Sequence, residues 1–142
     1  MSSERVQVII LDYFKGQQVV ANVKGILEQK INFPIRIDVV DNSCNPKNQD
    51  LLQEITDWPH TNLHIHSENT GYPQPHNEMA RLSKSDYLLI VNPDIEWPQT
   101  EAIQTMVDFM DQNPRIGVLA PKQLLPDGRV ELNVLHLILL CH

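Results

Sequence analysis

Residues 87–94 read Tyr-Leu-Leu-Ile-Val-Asn-Pro-Asp, and this octet decides the fold. Five apolar residues in succession, closed by two oxygen-bearing side chains around a proline, describe a strand covered on both faces that surfaces abruptly at its end. Pro93 fixes the backbone between Asn92 and Asp94. A buried strand of this kind belongs to a parallel sheet, so helices are expected on either side of it in the sequence.

They are there. Val6–Leu11 is a second short run of the same type, followed by Val19, Val20, Val23, Ile26 and Leu27 at helical spacing over residues 17–30. Ile35–Val40 reads as a strand, and Leu51, Leu52 and Ile55 mark a helix over 47–57 that Pro59 stops. Leu63–His66 is a short strand, and the loop 71–75 opens a helix to about residue 84. Downstream of the octet, Ile103, Met106, Val107 and Met110 mark a helix ending near Asn113-Pro114. Ile116–Ala120 is a last strand, and Pro126-Asp127-Gly128 a turn. Strands alternating with helices predict an α/β fold with a mostly parallel, Rossmann-like sheet between two helical layers. Ligands of such sheets gather at the carboxyl ends of the strands, near a topological switch point. The polar residues that follow the strands are Asp12 and Tyr13, then Asp41 and Asn42, then Asn92 and Asp94.

Composition removes several functional classes. The chain has 142 residues, 42% hydrophobic and 20% charged, with a formal net charge of -7. That balance suits one globular domain and speaks against general nucleic-acid binding, which needs clustered Lys and Arg. An acidic protein can still hold a nucleotide if a divalent cation stands between carboxylate and phosphates. Cys44 and Cys141 form neither a disulfide framework nor a zinc motif. No signal peptide is legible, and no apolar run nears the roughly 20 residues that span a bilayer. The expected location is the cytoplasm, including its membrane surface. Dinucleotide, P-loop and nucleophile-elbow motifs are missing from the sequence.

Each candidate position also has an ordinary structural reading. Asn92 and Asp94 are hard oxygen donors for magnesium or manganese, or else a strand-end turn. Asp41 can accept from a nucleobase N–H or a ribose hydroxyl, or else cap the following helix. Gly71 permits close backbone approach, and the helix beside it offers N–H groups to phosphate, but the same residues make an ordinary loop. His64 and His66 alternate along a strand and could share a metal, although a surface pair without one is the plainer reading. Trp58 and Trp97 read as packing anchors.

Taken in order, Val8–Phe14, Val39–Ser43, Asn69–Tyr72 with Asn77, Leu89–Asp94, and Asn113–Pro121 with Pro126–Gly128 resemble the inverting family 2 glycosyltransferases, in particular their rhamnosyltransferase-like branch. The resemblance covers roughly residues 5 to 130. It implies a three-layer GT-A (nucleotide-diphospho-sugar transferase) fold, cut short, that binds a UDP- or dTDP-sugar and serves polysaccharide biosynthesis. By the same resemblance Tyr13 and Asp41 line the nucleobase pocket, and Asp12 places an extra negative charge near the nucleotide. Asn69, Gly71 and Asn77 lie near the ribose, diphosphate or sugar, Asn92 replaces the first Asp of the family's Asp-x-Asp motif at the nucleotide-sugar site as a weaker metal position, and Asp94 reaches the diphosphate through Mg2+ or Mn2+. The implied acceptor is a saccharide or a lipid-linked molecule, its hydroxyl attacking with inversion. Asp12 stands where this branch usually has Asn, and no residue matches the general base. The competing readings are a non-catalytic nucleotide-binding or assembly module with the same fold and, less well matched, a nucleotidyltransferase.

Residues 1–129 are expected to be the partial donor-binding domain and 130–142 an apolar tail. Val134–Leu140 in that tail is expected either to pair with a second copy as a homodimer or to fold back over the sheet.

Overall fold

The computed structural model describes residues 4–131 and 137–141. Six strands form one sheet in the order β3-β2-β1-β4-β6-β5. The first four are parallel: β1 (Val6–Asp12), β2 (Ile35–Asp41), β3 (Thr61–Ile65) and β4 (Tyr87–Val91). Every residue of β1 is buried, as expected of a central parallel strand.

The alternation of side chains divides the core in two. Val8, Ile10, Ile37, Val39, Leu89 and Val91 face α1 (Gly16–Leu27), α2 (Pro46–Leu52) and α4 (Ala102–Gln112). Ile9, Leu11, Val40 and Leu88 face the other way, against Met79 of α3 (Pro73–Leu82). The architecture is thus three-layered α/β/α, as the alternating pattern requires. Chain order runs outward from β1 to β2 and β3, then returns to β4 on β1's other side. The switch point lies between β1 and β4, and ligands of such sheets gather at the strands' carboxyl ends beside it.

Three expectations need correction. The helix over 47–57 is two elements: α2 ends at Leu52 and a tight 3-10 turn covers Gln53–Asp57. Pro59 forces Trp58 into an extended conformation, so the chain must leave the helix early while still burying Ile55. The strand over 116–120 shrinks to β5 (Val118–Leu119), an edge strand whose one partner is β6, with Pro114 and Pro121 close on either side.

The third correction concerns the apolar end. Residues 134–136 of the expected strip lie outside the described residues, and residues 137–141 are built into the sheet instead of folding back over it. They form β6 (Leu137–Cys141), antiparallel to both neighbours, between β4 and β5. Leu139 is fully buried there, and insertion gives the backbone partners on both sides. The turn at 126–128 is the tip of a small hairpin: Leu124 and Val130 bridge, Gly128 has φ +84°, and its N–H donates to Leu125 O.

Candidate donor site at the strand carboxyl ends

β1, β2 and β4 deliver their last residues to one rim. Asp12 and Asp41 are register partners at the ends of β1 and β2, and both are fully buried. Asp12 Oδ1 accepts from the Lys15 backbone N–H at 2.9 Å, and Oδ2 from Asn48 Nδ2 at 2.5 Å. Asp41 Oδ1 accepts from the Ser43 backbone N–H at 2.9 Å and from the same Asn48 amide at 3.3 Å. Asp41 is therefore not the cap of α2. That role falls to Asn45, whose side chain accepts from the Asn48 N–H. Burial, the largest influence, pushes the Asp12 carboxyl above its ordinary pKa. The Asn48 and Lys15 bonds pull it back, and the Asp41 carboxylate raises it again.

Asn48 was not legible as a site residue, yet it binds the two carboxyls together from α2. Its Oδ1 accepts from the Gly16 N–H at 3.1 Å. A Cβ on Gly16 would lie 3.0 Å from that oxygen and 3.1 Å from Leu51 Cβ, so the glycine is what lets α1 start this close to α2.

Tyr13 and Phe14 leave the rim with exposed rings, 4.8 Å apart and edge to face. Phe14 has φ +59°, a conformation bulky residues avoid. Strain of this kind is held in place by its surroundings, here by Asp12 gripping the backbone one residue further on. Lys15 then reaches across to the segment after β4, its Nζ 2.6 Å from Asp94 Oδ2. Asn92 and Asp94 lie in the segment after β4, which is anchored from below by Asn22 of α1. Asn22 Nδ2 donates to Asn92 O at 2.8 Å, and Asn22 Oδ1 accepts from Trp97 Nε1 at 2.7 Å. A buried Asn in the stripe Val19-Val23-Ile26 was the sequence signal for this anchor.

The 69–71 loop is shaped by Asn42. Its Nδ2 donates to Asn69 Oδ1 at 2.9 Å and to Gly71 O at 3.1 Å, while its Oδ1 accepts from the Thr70 N–H. Asn69 also accepts from the Gly71 N–H, so its side chain organises the loop. Gly71 has φ +79°, which explains the glycine. The adjoining α3 offers less to a phosphate than its position promised, because Pro73 and Pro75 remove two N–H donors from its first turn. Asn77 is exposed on α3, on a shallow groove shared with Thr70, Gln74 and Arg81, apart from the Asp12–Asp41 pair.

His64 and His66 do not act together. His64 Nε2 is 2.8 Å from Asp38 Oδ1, whereas His66, just past β3, lies near Glu78 and Thr70. Trp58 and Trp97 both pack against the main core.

Among the described residues no three His, Cys, Asp or Glu side chains gather as a metal cage. Asp94 is instead an exposed carboxylate at the rim. That suits a cation drawing its remaining ligands from diphosphate and water, the habit of magnesium and, with looser geometry, manganese. No helix among the described residues is long and apolar enough to cross a membrane.

With this geometry in hand, the comparisons with known proteins are informative. The family model described as "Glycosyl transferase family 2" matches residues 7–132. No curated protein gives a significant match. Among solved structures, the mannosyltransferase PcManGT from Pyrobaculum calidifontis, in complex with GDP-Man and Mn2+, superposes with a TM-score of 0.79 at 16% identity. The match covers 99% of this chain and 45% of that one. TarS 1-349 from S. aureus matches with a TM-score of 0.72 at 19% identity over 88% of this chain and 37% of its own. Its complex with UDP-GlcNAc gives 0.73 at 16% over 90% and 37%. This chain thus spans less than half the length of these relatives, and the likeness is one of fold.

Proposed function

The chain belongs to glycosyl transferase family 2, and from that premise we propose that it binds the nucleotide-diphospho-sugar donor of an inverting transferase. The observation that carries the reading is that Asp12 and Asp41 end β1 and β2 side by side, while Asp94 follows β4 and meets Lys15 at the same end of the sheet, beside the β1–β4 switch point. Neighbours of the same fold are described with GDP-Man and with UDP-GlcNAc, which supports a nucleotide sugar as ligand.

In this reading Asp41 accepts from an N–H of a pyrimidine base. Tyr13 and Phe14 supply the aromatic wall, and Gly71, Asn69, Asn77 and Asn92 border the ribose, diphosphate and sugar. The diphosphate meets Asp94 and Lys15, where Lys15 leaves the carboxylate to hold phosphate oxygen. A divalent ion, Mg2+ or Mn2+ held by Asp94, supplies neutralisation of the charge growing on the leaving nucleoside diphosphate. A UDP- or dTDP-sugar is the proposed donor, a saccharide or lipid-linked molecule the acceptor, and polysaccharide biosynthesis at the cytoplasmic membrane surface the setting. The closeness of five motifs to the rhamnosyltransferase-like branch supports that branch. We assign no residue of this chain as the general base.

The nucleobase assignment is tested by titrating UDP, dTDP, GDP and ADP against wild type and Asp41→Ala. Preference for UDP or dTDP, lost in the variant, is the expected result. Equal binding of all four to both proteins contradicts it. The Lys15–Asp94 ion pair favours a second reading, a non-catalytic module whose metal carboxylate is already satisfied. Under that reading Asp94→Ala leaves nucleotide binding unchanged.

A further inference from the structure

The pair Asp12–Asp41 presents a problem in chemistry that the donor-binding role alone does not solve. Both side chains are fully buried, and Asp41 Oδ2 has no hydrogen-bond donor among the described residues. Two carboxylates in such a place repel each other and lose hydration that nothing replaces. Every other oxygen of the pair is supplied: Asp12 Oδ1 by the Lys15 N–H, Asp12 Oδ2 by Asn48 Nδ2, and Asp41 Oδ1 by the Ser43 N–H and Asn48. No cation among the described residues contacts either group. Lys15, the nearest in sequence to Asp12, turns its ammonium to Asp94.

One proton resolves this. We propose that Asp12 and Asp41 share a single proton, carried by Asp12 and donated to the Asp41 carboxylate, so that Asp12 is a positioning residue holding Asp41 as the acceptor for the nucleobase. The strand register makes the two side chains neighbours, and the Asn48 amide draws one oxygen of each toward a common point. The direction of the Asp12 titration agrees, since burial and the Asp41 charge both favour its acid form. The groups facing the pair are few: the Lys15 backbone at the start of α1, Asn48 on α2, and Ser43 after β2, with the Lys15–Asp94 pair at the same end of the sheet.

This inference rests on the donor reading for its purpose, but the proton can be detected without any ligand. Carboxyl 13C resonances of the ligand-free protein, assigned with Asp12→Asn and Asp41→Asn, should show Asp12 titrating above the ordinary aspartate value of about 3.9. In Asp41→Asn that elevation should shrink. An Asp12 step at the ordinary value overturns the proposal. The second readout is nucleotide affinity against pH. Wild-type affinity for UDP or dTDP should fall by up to about tenfold per pH unit above the Asp12 step. Asp12→Asn, which cannot lose this proton and leaves Asn48 with Asp41 and Ser43 as acceptors, should be flat by comparison. The ligand's own ionisation is common to both proteins and cancels. Asp12→Ala should bind more weakly at every pH. An Asp12→Asn profile with the wild-type slope overturns the positioning role, whereas failure of wild type to bind either nucleotide overturns the donor reading and leaves the ligand-free titration to decide the shared proton.

Discussion

The segment that carries Asp94 is held by one side chain, and removing it should be costly in a way that can be calculated. Asn22 is buried within α1, where it donates to Asn92 O at 2.8 Å and accepts from Trp97 Nε1 at 2.7 Å. Asn22→Ala deletes both bonds. Each is worth about 1 kcal/mol net, and the partly buried Trp97 N–H and Asn92 carbonyl lose a fixed partner, so the loss is about 2–3 kcal/mol. For a chain of this size that lowers Tm by about 5–10 °C. Asn22→Leu fills the same space and restores neither bond, so it should lose nearly as much. Gly25→Ala attacks the same junction from nearly one turn further along α1, because its Cβ would lie 2.8 Å from Trp97 Cδ1. Urea unfolding and thermal scans of the three variants measure the stability, and Mn2+-dependent UDP titration well below Tm measures whether Asp94 is still in place. The expected result is lower stability in all three and weaker metal-dependent binding in Asn22→Ala. Asn22→Leu as stable as wild type would refute the reasoning, since hydrophobic filling would then have replaced an anchor that was never polar in effect.

Gly16→Ala should lose about 1–3 kcal/mol and weaken nucleotide binding together, because the added Cβ presses on Asn48 and through it on both Asp12 and Asp41; denaturant midpoints and UDP titration on the same samples check this. Leu139→Ala should cost about 2–5 kcal/mol if β6 is an integral strand, read as a shift in urea midpoint. Burial pushes the Asp38 carboxyl up, but hydrogen bonds from His64, Arg36 and Gln7 outweigh it and hold the group below its ordinary value. A depressed carboxylate stabilises the fold above its unfolded pKa of about 3.9 and loses that contribution as pH falls through the folded value. The stability gap between wild type and Asp38→Asn should therefore be full at pH 7 and close below about pH 4 in urea titrations across that range.

Much of the fold could be read from local pattern because parallel strands buried on both faces leave an unambiguous record. β1 and β4 appear as unbroken apolar runs, and β4 begins and ends where Tyr87 and Val91 predict. The candidate site was equally accessible, since polar residues directly after such strands have few places to go. What escaped was non-local. Leu137–Cys141 has the composition of a strand, but nothing in it says that β4 and β5 will flank it, or that it runs against the other strands. Asn22 and Asn48 each sit on the buried side of a helix otherwise packed with apolar groups, and their partners lie 70 and 36 residues away in the chain. A helical pattern marks such residues as exceptions without naming what they bind. The depth of Asp12 and Asp41 was hidden for the same reason, because burial of a strand-end carboxylate depends on the helix packed over it.

The central claim is that this end of the sheet binds a nucleoside diphosphate through Asp94 and a divalent ion. Calorimetric titration of UDP and dTDP into wild type and Asp94→Ala, each with and without Mn2+, tests it most directly. Wild type should bind at least one of the two nucleotides, more tightly with Mn2+, and the metal effect should disappear in Asp94→Ala. Binding indifferent to both Mn2+ and Asp94, or no binding of either nucleotide, contradicts it.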